Sequence, residues 1–322
     1  MSALPPRGRT TSRNAAFQQL GSLLENRQKR HRAGLFLVQG VRPITVAVER
    51  GWPLERLLHR GGPLSRWAAD TLARVSTDGV GTLEVADELL AELGERDEVA
   101  GRDVAGGQTA DGPTAGRDAA GRDAAGRETA GQLGVVPELV AVAQIPDPLG
   151  SIEARDDLLV LVVDRPSAPG NLGSLIRSAD AFGAHAVLVG GHAVDPWDPR
   201  VVRASTGSVF AVDLVTVAGP DEALELLPPG VAVVGTDETG TQDIADVDLT
   251  GPTVLVVGNE ARGMSAAWRA ACTAVVRIPI GGPGSGSSAS SLNAANAGTV
   301  ALYEAVRQRR AVRGRRAAGS MP

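Results

Sequence analysis

Three segments of this 322-residue sequence place glycine beside polar side chains directly after apolar runs. The first, PGNLGSLIR, contains Asn171 and, six positions later, Arg177. The second, GNEARG, follows the apolar run TVLVV and contains Glu260. The third begins with the segment IPI and ends at Ser291 and Asn293. Glycine permits tight turns that leave backbone N–H groups open to a polar ligand, so each segment is a candidate binding loop.

Each segment also has a purely structural interpretation. Asn171 beside two glycines fits an ordinary strand-to-helix turn, and Glu260 fits a helix cap. Ser291 and Asn293 fit an N-cap pair. The glycine spacing of GNEARG resembles a phosphate-binding loop, but Met264 stands where that loop requires lysine, which excludes nucleoside triphosphate binding. No GxGxxG follows an apolar strand, which argues against a dinucleotide-dependent oxidoreductase on a doubly wound sheet.

The elements around these segments indicate an α/β fold. Apolar runs predict strands, and closely spaced apolar residues between polar ones predict helices. The strands are expected at 158–163, 186–189, 231–234, 253–257 and 274–278, and the helices at 172–182 and 290–308. Apolar runs without alternation, separated by helices, are typical of a parallel sheet covered on both faces. Ligands of such sheets bind beyond the carboxyl ends of the strands, where the three segments stand.

The first 93 residues form a separate and smaller α/β pattern. It predicts helices over 15–26, 42–50 and 86–93, with short strands at 35–38 and 57–58. Residues 94–134 consist mainly of Gly, Ala, Asp and Arg, with AGRD repeated, and cannot bury enough apolar surface to order themselves. We therefore predict an N-terminal domain at 1–93, a flexible insert at 94–134, a second domain at 135–312 and a basic tail at 313–322.

The charge of the chain is concentrated at its ends. The net charge is −5, yet residues 1–60 carry +8 and residues 307–322 carry +6, which leaves −19 for the rest. Two basic ends on an acidic body indicate either contact with a polyanion or solvated tails.

Composition excludes several other classes of protein. The single cysteine excludes an internal disulfide and a cysteine-rich zinc site, and the four histidines lack ligand spacing, so we predict no metal. No apolar run reaches the ~18 residues that a membrane span requires. The N-terminal sequence lacks the apolar stretch of a secretory signal, so we expect a cytoplasmic protein.

Together, the three segments resemble the motifs of the SpoU (TrmH-type) branch of the SPOUT methyltransferases. In that family the motifs read NxGxxxR, then GxExxG, then IP followed by SLN. The matching residues here are 171–177, 258–263 and 278–279 with 291–293. The front segment FLVQGVRPITVAVERGW is similar to the ribosomal-protein-like RNA-binding domain that often precedes this fold, although Gln39 stands where relatives usually have glutamate.

The resemblance implies a parallel-sheet methyltransferase domain with a C-terminal trefoil knot and a homodimer formed through the knotted region. It implies S-adenosylmethionine as the cofactor and a ribose 2′-hydroxyl in RNA as the substrate. Ribosomal RNA fits the two-domain layout best, while transfer RNA, or a non-catalytic RNA-binding role on the same fold, remains an alternative. The cofactor contacts implied by the motifs are Gly258, Asn259, Gly263, Ile278, Ile280 and Leu292.

The same resemblance implies catalytic roles for Arg177, Asn171, Glu260, Ser291 and Asn293. Because an arginine is effectively always protonated, Arg177 suits holding a phosphate and stabilising a developing alkoxide better than removing a proton. Asn171 would orient the hydroxyl or Arg177. Glu260 would hold Arg177 or Asn293 by hydrogen bonding. Ser291 and Asn293 would position the loop and the substrate.

RNA contact is expected to be mainly to phosphates, because aromatic residues make up only 3% of the chain. The candidate residues are Arg27, Lys29, Arg30, Arg32 and Arg42. The glycine- and serine-rich segment 281–290 is longer than relatives usually carry, and we expect it to be mobile until the cofactor binds.

Overall fold

The structure is a computed structural model that describes residues 7–94, 136–281 and 291–319. Its strands are β1 Arg7–Thr10, β2 Leu35–Gln39, β3 Leu54–Arg60, β4 Gly81–Val85, β5 Leu139–Gln144, β6 Leu159–Asp164, β7 Ala186–Gly190, β8 Asp213–Val217, β9 Ala232–Thr236, β10 Gln242–Asp243, β11 Thr253–Val257 and β12 Ala274–Arg277. Its α-helices are α1 Ala15–Glu25, α2 Arg27–Ala33, α3 Val41–Glu49, α4 Arg66–Thr77, α5 Asp87–Leu93, α6 Pro169–Ala181, α7 Pro199–Ala204, α8 Pro220–Glu225, α9 Ala266–Ala271 and α10 Ala294–Gly319.

The first sheet has five strands in the order β1-β4-β3-β5-β2. Strands β1, β4 and β3 are parallel, and β5 runs antiparallel to both of its neighbours. Because β5 follows the 94–134 segment, that segment interrupts the first domain instead of joining two domains. The predicted domain boundary at residue 135 is therefore wrong, since the hydrogen bonds of β5 hold the chain in the first sheet as far as Gln144.

The second sheet has seven parallel strands in the order β10-β12-β9-β11-β6-β7-β8. The strands expected from apolar runs are confirmed, and 253–257 agrees residue for residue. Every residue of β6, β7 and β11 is buried, as expected for a sheet covered on both faces. The last helix begins later than predicted and continues to Gly319, so residues 313–319 extend a helix and are not a separate tail.

Several elements of the first domain escaped the sequence prediction. Strands β1 and β4 and helices α2 and α4 are absent from the expected αβαβα pattern. Helix α2, RQKRHRA, has almost no apolar residues, so it has no periodicity to detect. It is fixed at its ends instead, where the Asn26 side chain accepts a hydrogen bond from Lys29 N at 3.0 Å and Gly34 adopts φ +65°.

The two domains share one continuous hydrophobic core. Phe36 of the first domain packs against Trp197 and Phe210 of the second, with ring centroids 4.9 Å and 6.2 Å away. A buried ion pair lies beside these rings, between Arg30 Nε and Asp195 Oδ2 at 2.7 Å. Extensive apolar contact and a buried ion pair together fix the orientation of one domain against the other.

Some predictions fall on residues that the structure does not describe. They are the 94–134 insert beyond Gly94, the loop 281–290 beyond Gly281, and the last three residues of the chain. The trefoil knot, whose threading involves the loop before α10, stays a prediction. No helix within the described ranges combines the length and the apolar character that crossing a membrane requires.

Candidate functional site

A cavity of about 420 Å³ opens at the carboxyl ends of β9, β11 and β12. This is the edge of a parallel sheet at which ligands are expected to bind. The cavity wall contains Gly258, Asn259, Gly263, Ile278, Ile280 and Leu292. These are the six residues for which cofactor contact is predicted, and Glu260 and Ser291 lie beside them.

The loop at 258–263 is a compact turn held by its own backbone. Asn259 N donates to Gly263 O at 3.0 Å, and Gly263 N donates back to Asn259 O at 2.9 Å. Gly263 adopts φ +65°, which favours glycine. A Cβ on Gly258 would overlap the backbone of Gly263 and Met264. Both glycines are therefore required by the turn itself, whatever the loop binds.

Glu260 is the centre of the polar contacts at the cavity mouth. Its Oε2 accepts hydrogen bonds from Ser167 N at 3.1 Å and Ser167 Oγ at 2.8 Å. Its Oε1 accepts from Ala168 N at 3.3 Å and from Asn171 Nδ2 at 3.1 Å. Partial burial acts to raise the pKa of Glu260, but its own backbone N–H and the donors on Asn171 and Ser167 hold that pKa below its ordinary value.

Asn171 passes this connection on to the last helix. Its Oδ1 accepts from Asn293 Nδ2 at 3.2 Å. Asn293 Oδ1 accepts from Ala295 N at 2.9 Å and so caps the start of α10. One hydrogen-bonded chain, Glu260–Asn171–Asn293, thus joins the ends of β6 and β11 to the start of α10. All three predicted segments meet here.

Arg177 and Ser291 do not join this chain. Arg177 is exposed on α6 and makes no hydrogen bond or ion pair among the described residues. Six residues correspond to a rotation of about 240° along a helix, so Arg177 and Asn171 leave α6 in different directions. Ser291 is exposed and lines the cavity. The expectation that Glu260 bonds Arg177 or Asn293 directly is wrong, because its oxygens are taken by the 167–171 turn.

Known protein families match both parts of the chain. Residues 158–303 match the model of the SpoU rRNA Methylase family, and residues 14–104 match that of the SpoU L30e-like domain. The chain is 46% identical over 313 residues to the 23S rRNA (uridine(2479)-2′-O)-methyltransferase of Streptomyces viridochromogenes, covering 95% of this chain and 94% of that protein. The chain belongs to the SpoU rRNA methylase family.

Solved structures of SpoU methylases share both domains. The SpoU methyltransferase AviRb from Streptomyces viridochromogenes, in complex with the cofactor AdoMet, has a TM-score of 0.72 at 42% identity, covering 92% of this chain and all of that one. The AdoMet-bound rRNA methyltransferase of Sinorhizobium meliloti has the same TM-score at 26% identity, covering 94% of this chain and 98% of that one.

A further sequence relative matches about half of this chain. The RlmB methyltransferase of Pseudomonas putida is 40% identical over 156 residues, which span 48% of this chain and 61% of that protein.

Other residues of this SpoU site were missed by the sequence analysis. Thr236, Asp237 and Glu238 line the cavity at the end of β9. Burial acts to raise the pKa of Asp237, but the hydrogen bonds from Thr239 and the charge of Arg269 hold that pKa below its ordinary value. The signal was present, because TDE follows an apolar strand just as the three motif segments do.

One basic residue of the first domain, Arg27, contacts the carboxyl edge of the second sheet. Arg27 donates to Ala193 O at 3.0 Å, in the loop that follows β7 at the carboxyl edge of the second sheet. Arg27, Lys29, Arg32 and Arg42 are all exposed. Arg30 is the exception, and its predicted phosphate contact is wrong. Its side chain is only 2% exposed, because the guanidinium is bonded to Asp195 and to Leu23 O.

The described residues contain no group of three or more His, Cys, Asp and Glu side chains that could hold a metal ion. The arrangement at the mouth is instead a rigid set of amides and one carboxylate beside an amphipathic cavity. Such a site can bind a molecule with an apolar ring and a charged end, and can hold a hydroxyl group at the mouth.

Proposed function

We propose that this protein transfers a methyl group from S-adenosylmethionine to a ribose 2′-hydroxyl in 23S ribosomal RNA. The observation that carries the proposal is the Glu260–Asn171–Asn293 chain at the mouth of a cavity whose wall holds all six predicted cofactor contacts. The relatives named above, with their cofactor and RNA substrates, support it.

The chemistry of the cavity wall fits S-adenosylmethionine. Ile280 and Leu292 are 36% and 38% exposed, so they present apolar surface that suits an adenine ring. Glu238 is an exposed residue of the cavity wall and supplies negative charge for an amino group. When bound, this cofactor provides an electrophilic methyl group on a positively charged sulfur.

Positioning is the main contribution expected from the residues of this chain. Methyl transfer would form a bond between the 2′-oxygen and the methyl carbon as the carbon–sulfur bond breaks, with the thioether leaving and the hydroxyl proton released to solvent water, and it requires the two reactants to lie in line. Glu260 is deprotonated and already accepts bonds from Ser167, Ala168 and Asn171. It therefore acts by fixing Asn171 and not by taking the hydroxyl proton.

Arg177 has a different role. Its guanidinium makes no bond among the described residues and leaves α6 in a different direction from Asn171, so it suits holding a phosphate of the RNA. Arg27, Lys29, Arg32 and Arg42 are exposed on the first domain and can contact further phosphates. A ribosomal RNA substrate would place the reaction in the cytoplasm.

A homodimer is also part of this proposal. Tyr303 and Val300 lie three residues apart on α10 and are 55% and 37% exposed. Phe182 packs edge-on against Tyr303 with ring centroids 6.1 Å apart. An apolar face of this kind on α6 and α10 suits a second copy of the chain. Tyr303→Glu should lower the mass measured by light scattering, while Leu224→Glu, at an exposed leucine on α8, should not.

The decisive experiment incubates the protein with total RNA and S-adenosylmethionine labelled in the methyl group, then maps the modified nucleotide. Label at one ribose of 23S RNA is expected. Label in transfer RNA would show that transfer RNA is the substrate. Cofactor binding without any labelled RNA would show that the protein is a non-catalytic RNA-binding protein. Arg177→Ala should lower the rate about 100-fold or more and leave cofactor binding intact. Near-normal turnover in that variant would refute the role of Arg177.

A further inference from the structure

Arg165 has an unusual backbone conformation beside the cofactor cavity. It follows β6 and adopts φ +55°, a backbone conformation that residues other than glycine, asparagine and aspartate rarely adopt. Among the described residues, Thr206 is the other non-glycine residue with positive φ, at +53°. Arginine has no intrinsic preference for this conformation, so contacts of its own must hold it there.

Two contacts of Arg165 lead to the 258–263 loop. Arg165 Nη2 donates to Gly263 O at 3.1 Å, and Arg165 O accepts from Asn259 Nδ2 at 2.7 Å. The preceding residue, Asp164, accepts from Ser265 N at 2.7 Å. Two consecutive residues therefore hold the loop near its start, at its end and at the beginning of α9.

The pair is also bonded to itself. Arg165 Nε and Nη2 donate to the two oxygens of Asp164 at 3.0 Å and 3.1 Å. The Asp164 side chain is only 3% exposed, so it is held in one position by the residues packed around it. With φ positive, the carbonyl and the guanidinium of Arg165 both reach the 258–263 loop. Gly191 leaves room for this, because a Cβ there would approach Arg165 Cγ to 2.8 Å.

We propose that Arg165 is a positioning residue for S-adenosylmethionine: with Asp164 it holds the 258–263 loop in the conformation that forms the cavity wall. The inference rests on the proposed function, since it names a further residue of the same site. Arg165 is not among the residues that line the cavity, so it acts through the loop and not by contact with the cofactor.

The test compares Arg165→Gly and Arg165→Lys with the unmodified protein. Glycine accepts the backbone conformation and removes the guanidinium, whereas lysine keeps the charge but cannot make both bonds. Titration calorimetry with S-adenosylmethionine should show a Kd about tenfold higher for Arg165→Gly, as expected for the loss of a charge-assisted hydrogen bond, and a smaller rise for Arg165→Lys. The KM for S-adenosylmethionine should rise in parallel, with no change in the KM for RNA.

Two controls separate positioning from general destabilisation. Thr206→Gly relieves the same backbone conformation away from the cavity. Arg30→Met removes another arginine that is paired with a buried aspartate, at 2.7 Å, without touching the loop. Both should leave the Kd for S-adenosylmethionine unchanged, whatever they do to the melting temperature. A Kd in Arg30→Met as high as that in Arg165→Gly would overturn the proposal.

Hydrogen exchange in the cofactor-free protein gives a readout that does not depend on binding. The amides of Asn259 and Gly263 should exchange faster in Arg165→Gly than in the unmodified protein. Unchanged exchange, or an unchanged Kd, would refute the positioning role alone. If the unmodified protein failed to bind S-adenosylmethionine at all, the proposed function itself would fall.

Discussion

Asn293 Nδ2 donates a hydrogen bond to Asn171 Oδ1 at 3.2 Å, across 122 positions of sequence. Asn171 Nδ2 donates to Glu260 at the same time, so the two ends of the Asn171 amide are distinguished and its orientation is fixed. Asn293 Oδ1 is used as the cap of α10. Asn293 Nδ2 carries two hydrogens, and one of them is bonded to Asn171. The second hydrogen is therefore available to a substrate oxygen.

This relationship combines two interpretations of Asn293 that the sequence left open. The residue is a helix cap and also a member of the polar site. Asn293→Asp separates the two roles, because aspartate caps a helix as well as asparagine does but cannot donate to Asn171. We expect a nearly unchanged melting temperature and a rate of methyl transfer about 100-fold lower, since a small displacement of a positioning group has that effect.

The matched control is Asn293→Ala, which removes the cap as well. It should lower both the rate and the unfolding free energy, the latter by about 1 kcal/mol. Equal rates for Asn293→Asp and the unmodified protein would show that the bond to Asn171 has no part in the reaction.

Glu260 makes the stability of the site depend on pH. Its pKa is lowered in the folded protein, so it contributes stability above the ordinary value of 4.5, and this contribution is lost as the pH falls through the folded pKa. Glu260→Gln should unfold at lower urea concentration near neutral pH, because its amide N–H groups face the donors on Ser167, Ala168 and Asn171.

The difference in urea midpoint between the two proteins should shrink in acid, where Glu260 itself is protonated. Urea titrations at a series of pH values measure it. A midpoint difference that stayed constant from neutral pH to well below 4.5 would show that the charge of Glu260 contributes nothing.

The meeting of the three motif segments could be predicted from sequence, because each follows an apolar strand and parallel strands end at one edge. The hydrogen-bond partners of Glu260 could not be predicted from sequence. Glu260 was expected to bond Arg177 or Asn293, but which donor reaches a carboxylate depends on the turn at 167–168, whose conformation leaves no periodic signal.

The predicted domain boundary at residue 135 was wrong for a comparable reason. Strand β5 stands after a long polar segment in sequence, yet it pairs with β2 and β3. Pairing between distant strands is not visible in a local pattern of apolar residues. The prediction that Arg30 contacts RNA was wrong because a charged residue on a polar helix is expected to face solvent. In the structure the second domain supplies Asp195, which pairs with Arg30 in a buried position.

The exposed basic residues of the first domain should determine how RNA binding responds to salt. Replacing Arg27, Lys29, Arg32 and Arg42 by alanine should weaken binding and reduce the slope of log K against log salt by about 0.7 for each RNA phosphate that the variant no longer neutralises. Arg155→Ala is the matched control, because it removes an exposed arginine before β6, at the opposite edge of the sheet. Binding titrations over a range of salt concentrations measure the slope. An equal slope for the fourfold variant would show that the first domain binds RNA in some other way.

Close contact between α6 and α10 holds Asn171 and Asn293 within reach of each other. A Cβ on Gly298 would overlap Leu175 Cδ2 and approach Val257 Cγ2 to 3.1 Å, whereas a Cβ on Gly314 in the same helix would meet nothing within 4 Å. Gly298→Ala should therefore lower the unfolding free energy by about 1–3 kcal/mol, because Leu175 is buried and must repack. Gly314→Ala should raise it by up to about 1 kcal/mol, because alanine favours the helix. Urea unfolding measures both, and the rate of methyl transfer should fall in Gly298→Ala alone. Equal stability of the two variants would mean that the helices are not in this close contact and that Asn293 reaches Asn171 by another route.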